Sequence, residues 1–495
     1  MNKVKNLKKK IRNFSYFPNC IKALLKINAY ANLKTTDKID VLMQGEEFQR
    51  KQMINIYFPY IIEKFIVFGI NGKNNNIELN DIVDIYNRSL SIGSSISQNN
   101  DGVFLSELFF YMGNEQTPLQ ETNYNQMFYR YTELFNDDES QKIAKEILGV
   151  ELDKFIVLCW ALGSFILNSK TTPIKLNISK FSSFILKGKN EFTQNDINNF
   201  IDYVSIDRET FKEKYYTLRK VNLDIKESFL DDETLDRIDR YLPKVSFHYP
   251  LLKDGDNYYI TSFTAIIEFL KLGRVYSDIS ENKIYNKYKI KILGTQVEKY
   301  LRNEIELYCD RLQIEKKIYG DENYKIGKQE YSAPDVIFET DNYIFIIECK
   351  TSAFNLITSI QNFKKEVSSR IEKDLEKSEK NVKRYLDEKK QNETKKIYKF
   401  LMYFNSTPIT LSSLKFELFK DTDFILTDIN SIEYLFMLQG KKLDIVIDNF
   451  LIEEKKGNHN TLYDFLRINY SIDNTIIENI FEKKVKFILG EIINE

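Results

Sequence analysis

Asp335, Glu348 and Lys350 are the residues whose types and spacing most readily do chemistry. They lie in the segment APDVIFETDNYIFIIECK, residues 333–350. Asp341 and Asn342 both tolerate left-handed backbone, so they suit a two-residue hairpin turn. A turn there pairs Thr340 with Tyr343, Phe338 with Phe345 and Ile337 with Ile346, and sets Asp335 opposite Glu348. Directly opposed residues share a face, with Cβ atoms about 5 Å apart. Two carboxylates so placed repel unless a cation lies between them. A divalent metal ion is the natural occupant, since Mg2+ takes one or two carboxylates plus waters and phosphate oxygens. Glu348 and Lys350 are two apart, so they project from one face of the strand, and Tyr343, Phe345, Ile347 and Cys349 project from the other. Charged groups ending so apolar a strand are costly unless paired or metal-bound.

The elements that must position these residues are also legible. Val297, Leu301, Ile305, Tyr308 and Leu312 recur at helical spacing, which predicts a helix over 294–312 with Glu298 at the edge of its apolar face. Strands are predicted near 314–319, 333–340 and 343–350, then a long charged helix over about 356–391. A strand beginning at Ile397, strands near 414–419 and 423–428, and a helix near 430–439 follow. Strands mixed with helices in this way predict an α/β sheet covered by helices.

These residues resemble the PD-(D/E)XK phosphodiesterase superfamily. Its pattern is a Glu on the first helix, a Pro-Asp near the start of one strand, and (Asp/Glu)-x-Lys ending the next. Here those are Glu298, Pro334-Asp335 and Glu348-Cys349-Lys350, in that order. The order of elements also matches, over residues 286–440. Some exonuclease-type members carry Gln-x-x-x-Tyr on the following helix; the nearest match is Asn381-Val-Lys-Arg-Tyr385, with Asn in place of Gln.

The resemblance implies a restriction-endonuclease-like α/β core, Mg2+ (or Mn2+) dependence and cleavage of nucleic-acid phosphodiesters. Asp335 and Glu348 are then expected to hold the metal, with the Cys349 backbone carbonyl and with Glu298 directly or through water. Lys350 is expected to orient or help deprotonate the attacking water and to offset phosphate charge. DNA is expected in preference to RNA. The rival expectation is a nuclease-like fold that binds nucleic acid, or regulates, without cutting.

Other signals have blander readings. Lys and Arg are dense over 362–399, where Lys380, Lys383 and Arg384 are the candidate nucleic-acid contacts. The competing reading there is a solvated helix with Glu–Lys pairs such as Glu376–Lys380. The two histidines, His248 and His459, are too few for a His-based metal cluster and read as incidental. Cys349 reads as a core thiol. Gly69-Ile-Asn-Gly72-Lys73 lacks the spacing and the Ser/Thr of a phosphate loop, so no nucleotide-hydrolysing motor is expected.

Across 495 residues, 71 Lys and Arg nearly balance 72 Asp and Glu, so any nucleic-acid contact must come from local patches. The four cysteines lie far apart, which argues against a zinc ribbon or a disulfide framework and for a reducing, cytoplasmic setting. The longest apolar run, FIVLCWALGSFIL at 155–167, is too short to span a bilayer and reads as a core helix. The basic residues Lys3 to Arg12 read as a solvated helix end.

Four regions are expected. Residues 1–242 form a mostly helical domain, in which Thr193 and Asp196 predict a capping box. Residues 243–285 form a hairpin-plus-helix connecting module around Asp254-Gly255. Residues 286–440 form the nuclease-like domain, and 441–495 a helical C-terminal segment. The fold class is thus multidomain α+β with an α/β core. A protein partner or a homo-oligomer is compatible with that architecture, a membrane is not expected, and a nuclease beside a separate helical domain suggests defence against phage.

Overall fold

The computed structural model describes residues 3–13, 58–69, 81, 84–85, 87–88, 124–167, 175–187, 192–222, 239, 244–261, 265–266, 269, 274, 278, 293–320, 322–351, 360–391, 393–404, 415, 418–419, 421–440, 442–456, 461–475, 477–480 and 482–483. Cys20, His459, Pro118, Pro173, Pro243 and most of the Gly69–Lys73 stretch lie outside these residues. The fold is mixed α+β and divides into two compact units. One comprises Met1–Asn282, Leu356–Gln361 and Ile480–Glu495, the other Lys283–Asn355 and Asn362–Asn479.

The first unit opens with helix α1 (Lys3–Asn13), followed by α2 (Phe58–Phe68), α3 (Tyr124–Leu134), α4 (Asp138–Leu148) and α5 (Leu152–Leu167). Leu7 and Ile11 of α1 are buried in a core with Ile62 and Phe65 of α2, while Lys10 reaches out to Asp81 (3.0 Å) and Asp84 (3.2 Å). The basic N-terminus is therefore a helix that spends charge on local acids. The long apolar run forms α5, with Phe155, Leu158, Ala161 and Leu162 buried as a core helix should be. Among the described residues no helix is long and apolar enough to cross a membrane.

Strand β1 (Lys175–Leu176), helices α6 (Ile178–Leu186) and α7 (Gln194–Val204), strand β2 (Ser205–Asp207) and helix α8 (Arg208–Asn222) follow. Thr193 and Asp196 form the capping box at the start of α7. A helical turn, α9 (Val245–His248), precedes strands β3 (Leu251–Asp254) and β4 (Asn257–Ile260). Their hairpin closes on Asp254↔Asn257, one residue later than the Asp254-Gly255 signal, and Gly255 supplies a left-handed φ of 58°. The hairpin does not stand apart as a connecting module. β4 pairs with β1 and β3 with β2, giving the sheet order β1-β4-β3-β2 with strands from the helical region. The physical reason is that a lone two-stranded hairpin is marginal in water.

In the second unit, α10 (Gly294–Leu312) spans the predicted range. After it come β5 (Lys317–Tyr319), β6 (Asn323–Ile326), β7 (Gln329–Ser332), β8 (Val336–Glu339), β9 (Tyr343–Lys350), α11 (Ile360–Lys389), β10 (Lys396–Tyr403), β11 (Phe424–Asp428), α12 (Ile429–Phe436), α13 (Leu443–Lys455) and α14 (Leu462–Asn469). The main sheet runs β11-β10-β9-β8-β5; β9, β10 and β11 are parallel, and β8 is antiparallel to both β9 and β5. A parallel β9–β10 pair needs a long crossover, and α11 supplies it. β8 and most of β9 are buried, as in a sheet covered on both faces. On the face of Phe345, Phe338 meets Phe436 of α12, which also meets Tyr308 of α10.

Two of the predicted strands need correction. The strand predicted over 333–340 starts at Val336, because Pro334 has no N–H to pair. The described residues of the strand predicted near 414–419 do not form one: Lys415 and Leu418 are helical, with Phe419 N–H bonded to the Lys415 carbonyl. The β6–β7 hairpin was not foreseen. It turns on Gly327 at φ 60° and is anchored by Tyr324, which packs edge-on against Tyr385 of α11. The C-terminal helices belong to this unit: the Arg311 guanidinium of α10 donates to the carbonyls of Phe436, Met437, Leu438 and Asp473, and Phe450 of α13 packs on Phe465 of α14.

Candidate active site

The hairpin register places the candidate residues. Val336 pairs with Ile347, Ile337 with Ile346 and Phe338 with Phe345, and the Thr340 N–H bonds to the Tyr343 carbonyl at 3.0 Å, so Asp341-Asn342 is the turn. The ladder stops at Val336–Ile347. Asp335, one step beyond, does not extend it to face Glu348. Its Oδ2 accepts instead from the Cys349 backbone N–H at 2.6 Å. Two opposed carboxylates would repel, whereas a backbone donor at the open end of the ladder satisfies Asp335.

Two devices hold the Asp335 backbone. Arg302 of α10 donates to its carbonyl at 2.9 Å and approaches Glu298 at 3.4 Å, so Glu298 is linked to the site through Arg302. Gly320, at φ 145°, lies so close to Asp335 that a Cβ would stand 2.5 Å from the Asp335 carbonyl oxygen. Only glycine allows that approach.

Glu348 is 4% exposed and sits toward α11. Asn381 Nδ2 donates to its Oε1 at 2.9 Å, Ser378 Oγ to its Oε2 at 3.4 Å, and Lys350 Nζ lies 3.3 Å from Oε2. The Tyr403 hydroxyl donates to Asp374 of α11 at 3.1 Å, and Tyr403 is the partner of Lys350 in the β9–β10 ladder. Burial works against the Lys350 ammonium, but Glu348, Asp335 and Asp374 outweigh it and hold it above the usual lysine range. These three carboxylates favour the cationic form of the Lys350 side chain. Burial pushes the Cys349 thiol up, with Asp335 and Glu298 adding to it, so it is no ready nucleophile.

Asp335, Glu348 and Lys350 thus come together at one end of the sheet. Glu298 stands beside Arg302, and among the described residues no three His, Cys, Asp or Glu side chains gather as a metal cluster. The two carboxylates that are present, Asp335 and Glu348, offer hard oxygens. Their chemistry fits Mg2+ or Mn2+ bound by one or two carboxylates.

Of the candidate nucleic-acid contacts, Lys380 and Lys383 are exposed and Arg384 stacks on Tyr331 of β7 at 4.2 Å. Four lysines of the basic stretch are committed elsewhere: Lys390 and Lys395 to Glu339 (2.7 and 2.8 Å), Lys396 to Asp448 and Lys399 to Asp423.

Sequence reasoning missed Arg302, Gly320, Asp374, Ser378 and Tyr403. One signal was available: Asp374, Ser378 and Asn381 interrupt the face of α11 that otherwise carries Ile371, Leu375, Val382 and Tyr385 at helical spacing. No family model matches the chain, and neither does any curated protein.

Proposed function

We propose that the unit built on the five-stranded sheet is a metal-dependent nuclease that hydrolyses nucleic-acid phosphodiesters, with DNA as the preferred substrate. The observation that carries the reading is the end of β9. Glu348 is buried there with Lys350 half-buried beside it at 3.3 Å, and Asp335 is bound to the intervening Cys349 N–H. Burying an ion pair is poor value for stability alone. The run of helix, antiparallel β5-β8-β9, helix α11 and parallel β10 is what the PD-(D/E)XK resemblance implies, and it supports the same reading.

In this reading Asp335 and Glu348 hold Mg2+ or Mn2+, with the Cys349 carbonyl and Glu298 as supporting oxygens. When bound, the metal supplies Lewis acidity toward a phosphate oxygen and a lowered pKa for its water. The protein's own residues do the rest. Lys350, held cationic, offsets phosphate charge and orients the attacking water. Asn381 and Ser378 fix the Glu348 carboxylate, and Arg302 and Gly320 fix the backbone of Asp335.

The test is Mg2+-dependent cleavage of single- and double-stranded DNA and RNA by the whole chain. Asp335→Ala and Lys350→Ala are each expected to lose at least about 100-fold in rate. Cleavage that survives both substitutions overturns the assignment.

A second reading has its own observation. Glu348 accepts from Asn381 and Ser378 and faces Lys350, and no three-ligand cluster forms among the described residues, which suits a binding protein that does not cut. Substrate binding without cleavage in either Mg2+ or Mn2+ would favour it. We place the nuclease in defence against phage because a second, helical unit accompanies it. Phage plating on bacteria expressing the wild type or Asp335→Ala tests that, and equal plating efficiencies reject it.

A further inference from the structure

We propose that the outer face of α11 is a track for the phosphates of one strand of single-stranded DNA, formed by Arg370, Lys373, Lys377, Lys380 and Arg384. This deepens the nuclease reading and rests on it for the purpose of the bound strand.

The spacing of three, four, three and four residues keeps all five cations within an arc of about 80° on the helix, over a length of about 21 Å. Lys373, Lys377 and Lys380 are exposed, and none of the three is held in an ion pair with a described residue. Like charges one turn apart destabilise a helix, so these exposed lysines call for an anion. Acids bound the row only at its ends, Glu366 before it and Glu388 after it.

The remaining charges on α11 say which anion fits. Glu372, Glu376, Glu379 and Asp387 lie together along one flank of the row, and Lys383 falls among them instead of in the row. A duplex presents two phosphate strands across a groove, and the acidic flank would repel the second. One strand, lying on the cations alone, meets no such penalty. The other flank carries Asp374 and Asn381, which reach Tyr403 and Glu348. The row therefore passes beside the candidate site.

At its far end Arg384 stacks on the half-buried Tyr331, a guanidinium–aromatic platform of the kind on which an unpaired base can stack. The row consists only of cationic donors and reads the phosphate backbone, so the choice of DNA is the one made for the nuclease reading on which the track rests.

The experiment measures binding of a short labelled single-stranded DNA to the full chain by fluorescence anisotropy, in chelator, over a range of salt. The chelator separates this test from cleavage, so an inactive site leaves it intact and a failed track leaves the site intact. Lys373→Gln/Lys377→Gln/Lys380→Gln is expected to reduce the slope of log affinity against log salt by about two, at about 0.7 per lost phosphate contact. A charge-matched control on exposed lysines of the first unit, Lys142→Gln/Lys180→Gln/Lys187→Gln, is expected to keep the wild-type slope. The proposal is overturned by no binding in the wild type, by equal slopes in the track variant and the wild type, or by an equal loss in the control. Duplex DNA or RNA bound at least about tenfold more tightly than single-stranded DNA overturns the choice of strand.

Discussion

Under the proposed nuclease reading, Asp335 is asked to serve both fold and chemistry. Its carboxylate accepts from the Cys349 N–H, and that bond needs an oxygen, not a charge. Asp335→Asn keeps the acceptor and removes the charge. We expect its unfolding free energy to stay within about 0.5 kcal/mol of the wild type, as for a substitution that creates no cavity, while Mg2+-dependent cleavage is lost. A stable, fully active Asp335→Asn protein would remove Asp335 from the chemistry. Asn381 is the counterpart on the helix side. It gives a buried carboxylate a hydrogen bond at 2.9 Å, and Asn381→Leu is expected to cost about 1.5–3 kcal/mol in urea unfolding, the range for bonds to charged groups. A loss below about 0.5 kcal/mol would mean that Ser378 and Lys350 suffice to hold Glu348. The Asn381-x-x-x-Tyr385 match divides in the structure, since Tyr385 packs on Tyr324 of the small hairpin and not on the site.

Among the elements, β5 has a role that its short length conceals. It is followed at once by Gly320, against the backbone of Asp335. A Cβ there clashes with a carbonyl already held by Arg302, so either β5 or Asp335 must shift. Gly320→Ala is expected to cost about 1–3 kcal/mol from the strained φ and to lower cleavage through Asp335. Wild-type rates in that variant would show that the Asp335 backbone need not be held in place. The crossover helix α11 is likewise two devices in one, since its inner face fixes Glu348 and its outer face carries the cation row. Just beyond its end, Lys390 and Lys395 are spent on Glu339 of β8. Burial alone would raise the Glu339 carboxyl, but Lys390, Lys395 and Tyr319 outweigh it and lower it to about 2. A lowered carboxyl stabilises the fold above the ordinary value of 4.5 and loses that contribution as pH falls toward 2. Glu339→Gln should remove that part of the acid sensitivity.

At the scale of the molecule, Glu63 of the first unit and Glu339 of the second carry opposite pH signatures. In the first unit Glu63 is fully buried, and desolvation raises it to about 7 against Lys244 and the Ser246 hydrogen bonds. A raised carboxyl keeps its proton in the folded state while the unfolded chain has lost it, so stability falls as pH rises from 4.5 to 7. Glu63→Gln should flatten that fall in the first unit and leave the acid limb of the second unchanged. Equal pH profiles for wild type and Glu63→Gln would count against a protonated Glu63. The same unit holds a buried Lys64–Asp239 pair at 2.6 Å, with Arg219 3.4 Å from Asp239 and the Tyr215 hydroxyl at 2.7 Å. Removing one partner leaves a buried charge, so Lys64→Met is expected to cost about 3–5 kcal/mol in thermal or urea unfolding of that unit.

The sequence by itself determined what is local. A continuous apolar run determined β9 and helical periodicity α10, two tolerant residues determined the Asp341-Asn342 turn, and counting outward from that turn determined the register down to Val336–Ile347. Tertiary structure decided what depends on neighbours distant in sequence. The capture of Asp335 by the Cys349 amide follows from the open end of the ladder, the choice of Asn381 and Ser378 as partners of Glu348 from the docking of α11, and the need for Gly320 from the approach of β5. The fate of the basic residues was decided in the same way: identical lysines become ion-pair partners of Glu339 or an open row on a helix according to which acids the fold brings within reach. Local pattern reports which atoms a segment offers. Only packing sets which of them meet, because burial, charge pairing and backbone satisfaction are properties of neighbours in space.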